Sequence, residues 1–269
     1  MKNYKYMIKL LVLYLTFTFV LTVAYNYFPI IIHFSLFGQE LFYSGIITNM
    51  YSSVIDFILL TIVFTVLLDK NKKKDIIREY KENIDDCRFW DGKEAGFKIA
   101  GNIKRLQEHE VYELDISKCF MVSIILKKVT LSNSKLMGAV LSESNFEGSV
   151  MQGCNLQGAY LINSIMRKVD FSNSNLRHIK CNGAKLNSIK ANNCNFEYAD
   201  FTDADLRYSI IKNANMDKVN FTNCDLERAN LLGALNLDVN ELIKCKSLKY
   251  IKLDKEILEK VKKLKPELM

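Results

Sequence analysis

The residues able to do chemistry are few and scattered. The chain of 269 residues holds three histidines, His33, His109 and His178, and no spacing brings two of them onto one element. Metal binding or general base catalysis needs such groups to converge within a few ångströms, and neither a Cys-x-x-Cys pair nor a histidine pair of ligand spacing occurs. No glycine-rich loop opens a helix to cradle phosphate. Asp200, Asp203 and Asp205 crowd one stretch, but Arg207 and Lys212 lie beside them, the pattern of a solvated, charge-balanced surface. Asp56 is the one carboxylate in an otherwise apolar run. The sequence therefore reads as non-enzymatic, with no catalytic, cofactor-binding or metal residue and no cofactor.

The elements that carry these residues are counted in fives. Every fifth residue from Ile116 to Leu231 is apolar without exception, 24 positions in all. In a chain that is 49% apolar the chance is on the order of 10⁻⁷, so the pattern is an internal repeat. Two residues before each centre stands an uncharged, mostly small residue, as in Ser134, Ala139, Ser144, Cys154 and Ala184. A period of five fits neither helix nor strand and requires a chain that turns a corner after every unit.

Units such as Ala204-Asp205-Leu206-Arg207-Tyr208, Ala214-Asn215-Met216-Asp217-Lys218 and Cys224-Asp225-Leu226-Glu227-Arg228 resemble the pentapeptide-repeat family. The resemblance implies a mainly β fold, a right-handed quadrilateral β-helix in which four units close one turn. Residues 20 apart then stack, 24 units make six turns, and the coil is roughly 29 Å long at the strand spacing. Leu136, Leu156, Leu176, Phe196 and Met216 become one buried ladder. Asn155, Asn175, Asn195 and Asn215 become an exposed one whose amides satisfy the corner backbone. Cys154 and Cys194 fall two turns apart, too far for a disulfide, so the seven cysteines read as small core residues of a reducing compartment.

Ahead of the coil the chain carries a membrane signature. Residues 1–68 read as a transmembrane helical hairpin with spans at about 10–32 and 45–68, each long enough for a bilayer. Lys2, Lys5 and Lys9 precede the first span and Lys70, Lys72, Lys73, Lys74 and Arg78 follow the second, which puts both termini in the cytoplasm of an inner-membrane protein. Lys72, Lys73 and Lys74 also suit anionic lipid headgroups. The carboxyl of Asp56 costs about 3 kcal/mol in a span, and Ser52, Ser53, Thr61, Thr22 and Tyr25 are the partners that could hold it as helix-to-helix glue.

Residues 69–110 read as cytoplasmic juxtamembrane helices, with Asp91 and Glu94 as a capping box opening a helix to about Gln107. Its apolar face, Ala95, Gly96, Ile99, Ile103 and Leu106, is expected to cap the open end of the coil. It is also expected to cover outward residues of the early turns. The coil occupies 111–236, and 237–269 form a helical cap, Asp238 with Glu241 opening a short helix through Cys245. Phe120, Val122, Val140, Tyr160 and Ile162 form an outward apolar strip, the candidate interaction surface.

These expectations converge on a membrane-anchored scaffold presenting a rigid coil to a cytoplasmic protein or to further copies of itself as a homo-oligomer. The alternative is an oligomeric channel or transporter accessory built around Asp56. The best-known members of the family protect DNA gyrase by presenting a DNA-like negative surface. Residues 114–233 carry 14 Lys and Arg against 11 Asp and Glu, the wrong sign for a nucleic-acid mimic and too diffuse for nucleic-acid binding.

Overall fold

The computed structural model describes residues 2–27 and 40–269. They form two compact units, residues 1–76 and 77–269. The first unit contains α1 (Lys2–Tyr27) and the first part of α2 (Glu40–Asp86). Neither helix contains proline, and their long apolar runs leave nothing to interrupt the backbone ladder. The Tyr14 hydroxyl bonds to Ser53, and the Thr22 hydroxyl lies 3.0 Å from that of Tyr51, so α1 and α2 pack side by side. Thr18 and Val54 are buried between them. Among the described residues one helix, over Ser44–Asp86, is long and apolar enough to cross a membrane, and Lys9–Ala24 is a shorter apolar segment. The second expected span coincides with a helix of that length and composition, which by itself does not establish the two-helix transmembrane hairpin. The end of the first, with its loop and His33, lies outside the described residues.

The second unit opens on the last turns of α2, whose Ile77, Tyr80 and Ile84 pack into its core. After a turn in which Phe89 adopts φ 64°, α3 runs over Lys93–Glu108. The expected capping box is absent: Gly92, extended at φ −152°, is the N-cap and no side chain caps it. The Gly92 carbonyl takes the first helical N–H groups, from Ala95 and Gly96, so Asp91 stands one residue too early. At its other end α3 closes with Val111 N donating to Leu106 O and Glu110 N to Gln107 O, with Glu110 left-handed at φ 63°. That is a Schellman motif, with a non-glycine residue in the strained position.

From Asp115 the chain coils. Isolated parallel bridges link Asp115 to Lys135, Phe120 to Val140, and so on at a separation of 20 residues to Asn215 and Leu235. Four five-residue units therefore close each turn. Each side pairs through one residue only, because a corner follows every fifth position. The architecture is a four-sided β-coil with little extended strand. Asn155 bridges Asn175, which sets Leu156 directly beneath Leu176. The centres are buried throughout, and Phe201 stacks on Phe221 one turn later at 5.9 Å.

The corners explain the period. The residue two beyond every centre from Ile116 to Leu231 has positive φ, for example Lys118 at 57°, Gly138 at 63° and Asn163 at 55°. The next small residue closes the turn, as in Ala139 N to Leu136 O at 3.0 Å. A third turn residue with positive φ is the type II signature. Asn or Asp just before the centre secures the corner: Asn155, Asn175, Asn195 and Asn215 each accept the backbone N–H two residues on. Their amides also bond along the column, Asn175 to Asn155 at 3.2 Å. The small residues are buried because the chain folds over them, and several serines there bridge turns. Ser174 accepts from Cys154 N at 3.0 Å and donates to Met151 O at 2.8 Å.

Both ends are covered. The apolar face of α3 is buried, Ile99, Ile103 and Leu106 completely. Gly96 lies so close that a Cβ there would meet Ile124 Cγ2 at 3.2 Å and Phe120 O at 3.3 Å. Gln107 donates to Thr130 O at 2.9 Å. Arg88 clasps Asp85, Asp115 and the carbonyl of Ser117. At the far end Asp238 caps α4 (Val239–Leu242), which stops before Cys245 because Lys246 N must return to Cys224 O. The ladder then resumes beyond residue 236: Asp225 bridges Ser247 and Asn230 bridges Lys252. The sequence pattern hides this added half-turn, because α4 shifts the count by two residues. Helix α5 (Lys255–Leu264), whose Val261 is buried, and the turn Pro266–Leu268 complete the cap.

Candidate interaction surface

Phe120, Val140 and Tyr160 occupy successive rungs of one outward column, joined by the bridges Phe120 to Val140 and Val140 to Tyr160. Val122 and Ile162 stand on the neighbouring corner, two residues further along their own turns. Phe120, Val122, Val140 and Ile162 are half-buried and Tyr160 is 43% exposed. Helix α3 reaches the backbone of Phe120 from the end of the coil and leaves this strip in contact with solvent. The expected capping of the end is thus observed, and the expected covering of the strip is not. A helix lying across the first turn closes the core and its own apolar face together, which leaves no apolar face to spend on the side.

The strip ends where the column turns polar. Tyr160 bridges Lys180, and Lys180 bridges Asp200. Asp200 accepts from Thr202 at 2.6 Å and from Asn182 at 2.8 Å. Burial alone would raise its carboxyl, but those hydrogen bonds and the nearby Lys180 hold it below its ordinary value. Asp205 behaves alike: burial is outweighed by hydrogen bonding from Arg207, whose two bonds to it are 2.9 Å each. Asp203 accepts from Asn223 at 2.5 Å. The crowded carboxylates are therefore each engaged by neighbours. His109 packs beside Tyr80 and His178 stacks on Tyr198. Among the described residues no three His, Cys, Asp or Glu side chains converge as metal ligands would.

The seven cysteines are free and buried. Burial pushes the thiols of Cys119 and Cys154 up to about 11 and those of Cys194 and Cys245 up to about 12. These groups stay protonated and act as small core side chains, Cys154 donating to Leu131 O at 2.7 Å.

In the first unit, Lys72, Lys73 and Lys74 are exposed on α2. Asp56 is exposed as well, Ser52 beside it is likewise exposed, and three of its other expected partners are engaged elsewhere. Ser53 bonds to Tyr14 and Met50, Thr61 to Phe57, and Thr22 to Thr18 and Tyr51. The side chain of Tyr25 lies outside the described residues.

One surface had no signal in the five-residue count. A groove of about 500 Å³ beside α3 is lined by Asn83, Trp90, Phe97, Lys98 and Arg105 among others. Trp90 lies beneath the Lys98 ammonium at 5.0 Å, and Phe97 is 64% exposed. The outward direction of Phe97 was readable from helical spacing; the turn that brings Trp90 beside it depends on the left-handed Phe89.

Comparison with protein families matches a model described as "Pentapeptide repeat region" to residues 124–201, and one described as "Pentapeptide repeats (8 copies)" to residues 211–235. No curated protein matches the chain. Among solved structures the chain is similar to the pentapeptide repeat protein Rfr23 from the cyanobacterium Cyanothece 51142, at 18% identity and a TM-score of 0.29, covering 58% of this chain and 96% of that one. It is similar to QnrB1, a plasmid-mediated fluoroquinolone resistance protein, at 13% identity and a TM-score of 0.23, covering 56% and 80%. It is also similar to a pentapeptide repeat protein of the Arabidopsis thaliana thylakoid lumen, at 22% identity and a TM-score of 0.20, covering 36% and 64%.

Proposed function

Because this chain is a pentapeptide-repeat protein, we propose that it works as a non-enzymatic, membrane-anchored scaffold whose coil docks a cytoplasmic protein. The observation that carries the reading is the strip of Phe120, Val140 and Tyr160, continuous over three turns and flanked by Val122 and Ile162, on a face whose later rungs are Lys180, Asp200 and Asn220. A side of the coil built only for solubility would be polar at every rung, as the later ones are. Contiguous apolar surface rimmed by polar residues marks a place where another protein removes it from water.

The apolar stretches of α1 and α2 support an anchor of two helices at the inner membrane with both termini cytoplasmic, and Lys72, Lys73 and Lys74 then fall at headgroup depth. The coil's balance of 14 basic against 11 acidic residues over 114–233 speaks against a negatively charged mimic of DNA, so gyrase protection is the weaker reading. The test is affinity capture of the full chain from native membranes, compared with Val140→Lys and Tyr160→Lys. A partner retained by the wild type and lost by both variants supports the scaffold; an unchanged set of captured proteins refutes this surface.

A further inference from the structure

The outward face of α2 carries a line of residues at alternating steps of four and three: Gly45, Asn49, Ser52, Asp56, Leu59 and Val63. Asn49, Ser52 and Asp56 are exposed, Leu59 and Val63 are 57% and 55% exposed, and a Cβ added to Gly45 would meet nothing within 4 Å. Helix α1 lies on the opposite side of α2, where Ser53 and Tyr51 bond to it and Val54 is buried. Among the described residues no hydrogen bond reaches the side chains of Asn49, Ser52 or Asp56, although those of Ser53 and Thr61 on the inner side are bonded. Steps of four and three are the spacing at which two helices wind together, each knob seated against the other helix. Three unpartnered polar side chains on a lipid-facing line are costly, and such residues face other helices as a rule.

We propose that α2 pairs along this line with α2 of a second copy of the chain, making a parallel helix dimer within the membrane. This inference rests on the reading of α2 as a membrane span. Two copies of one chain enter the bilayer in the same direction, so a two-fold axis along the membrane normal sets each residue opposite its counterpart at equal depth. The line is self-complementary under that symmetry. The Asn49 amide both donates and accepts, so it pairs with its counterpart, as a buried asparagine does when it fixes register between helices. One turn along, the Ser52 hydroxyl of each copy donates to the Asp56 carboxyl of the other, twice by symmetry. Gly45 lets the backbones approach, and Leu59 and Val63 continue the contact with apolar packing. A second copy therefore satisfies all three polar groups with no partner of different sequence.

The test uses the full chain in membranes. A disulfide requires Cα atoms within about 7 Å, so Leu59→Cys, which keeps all three polar residues, is expected to give an oxidised dimer, and Ile58→Cys, on another side of α2, is not. The native cysteines are buried and contribute little background. Asp56→Leu suits lipid better than the native residue yet is expected to lower the dimerisation constant by about tenfold, the equivalent of about 1.4 kcal/mol. Equal cross-linking at positions 58 and 59, or undiminished dimerisation of Asp56→Leu, would overturn the pairing. So would a monomer that remains in carbonate-washed membranes, and that result would leave the membrane reading standing. Release of the chain by carbonate would overturn both.

Discussion

Two glycines on α3 give opposite predictions, because one faces the coil and the other faces water. At Gly101 an added Cβ meets only Arg105 Nη1 at 3.6 Å, an ordinary contact. Gly101→Ala should therefore gain the full helix-propensity difference, about 1 kcal/mol of added stability. At Gly96 the same Cβ would meet Ile124 Cγ2 at 3.2 Å, Phe120 O at 3.3 Å and Met121 Cα at 3.4 Å, and two of those atoms are backbone. The propensity gain of about 1 kcal/mol then competes with an overpacking cost of about 1–3 kcal/mol, for a net loss of about 1 kcal/mol. Gly96→Leu has nowhere to place its side chain and should lose about 3 kcal/mol. Trp90, the only tryptophan, stands just ahead of α3, so its emission reports the docking of that helix. The assay is denaturant unfolding of the full chain in detergent micelles, followed by Trp90 fluorescence and far-UV circular dichroism. If Gly96→Leu proves no worse than Gly101→Leu, α3 does not close the end of the coil.

Further outcomes follow from the stacked core and its polar groups. Leu176→Ala, in a buried column between Leu156 and Phe196, should cost about 2–5 kcal/mol in chemical denaturation. Ser209 is fully buried with no hydrogen-bond partner for its hydroxyl, at a position where Ala199, Ala204 and Ala214 serve nearby units, so Ser209→Ala should raise stability by about 1 kcal/mol. Asp170, Asp200 and Asp205 have depressed carboxyl pKa values in the folded chain. Their contribution is complete above the ordinary carboxylate value near 4 and is lost as pH falls through their folded values. The melting temperature should hold steady from about pH 7 to 5 and fall below about 4, and Asp205→Asn should flatten part of that fall.

The centre of the unit was legible in sequence because each apolar centre, from Ile116 to Leu231, answers to one physical demand, burial at a fixed step. The corner demand was equally regular but spread over several residue types. Gly138, Gly148, Gly153, Gly158, Gly183 and Gly233 share a left-handed position with Asn133, Asn163 and Asn173, yet also with Lys168, His178 and Tyr208, which mask it. Ser247 to Lys252 escaped the count because α4 inserts two residues into a period of 20 and resets the register. The extent of α3, expected over 93–107, agrees with the structure, but its cap does not: Asp91 and Glu94 have the right spacing for a box, while the backbone turn at Phe89 and Trp90 hands the cap to Gly92. The strip and Asp56 were identifiable by residue type. Whether each was covered depends on contacts between distant elements, which no local pattern carries.

Loss of partner capture on altering the strip bears most directly on the scaffold. The full chain is drawn from native membranes beside Val140→Lys and Tyr160→Lys, each first shown to unfold at the wild-type denaturant midpoint. The account predicts a protein that co-purifies with the wild type and is missing from both variants. Identical captured sets from all three, or no captured protein from any, would contradict it.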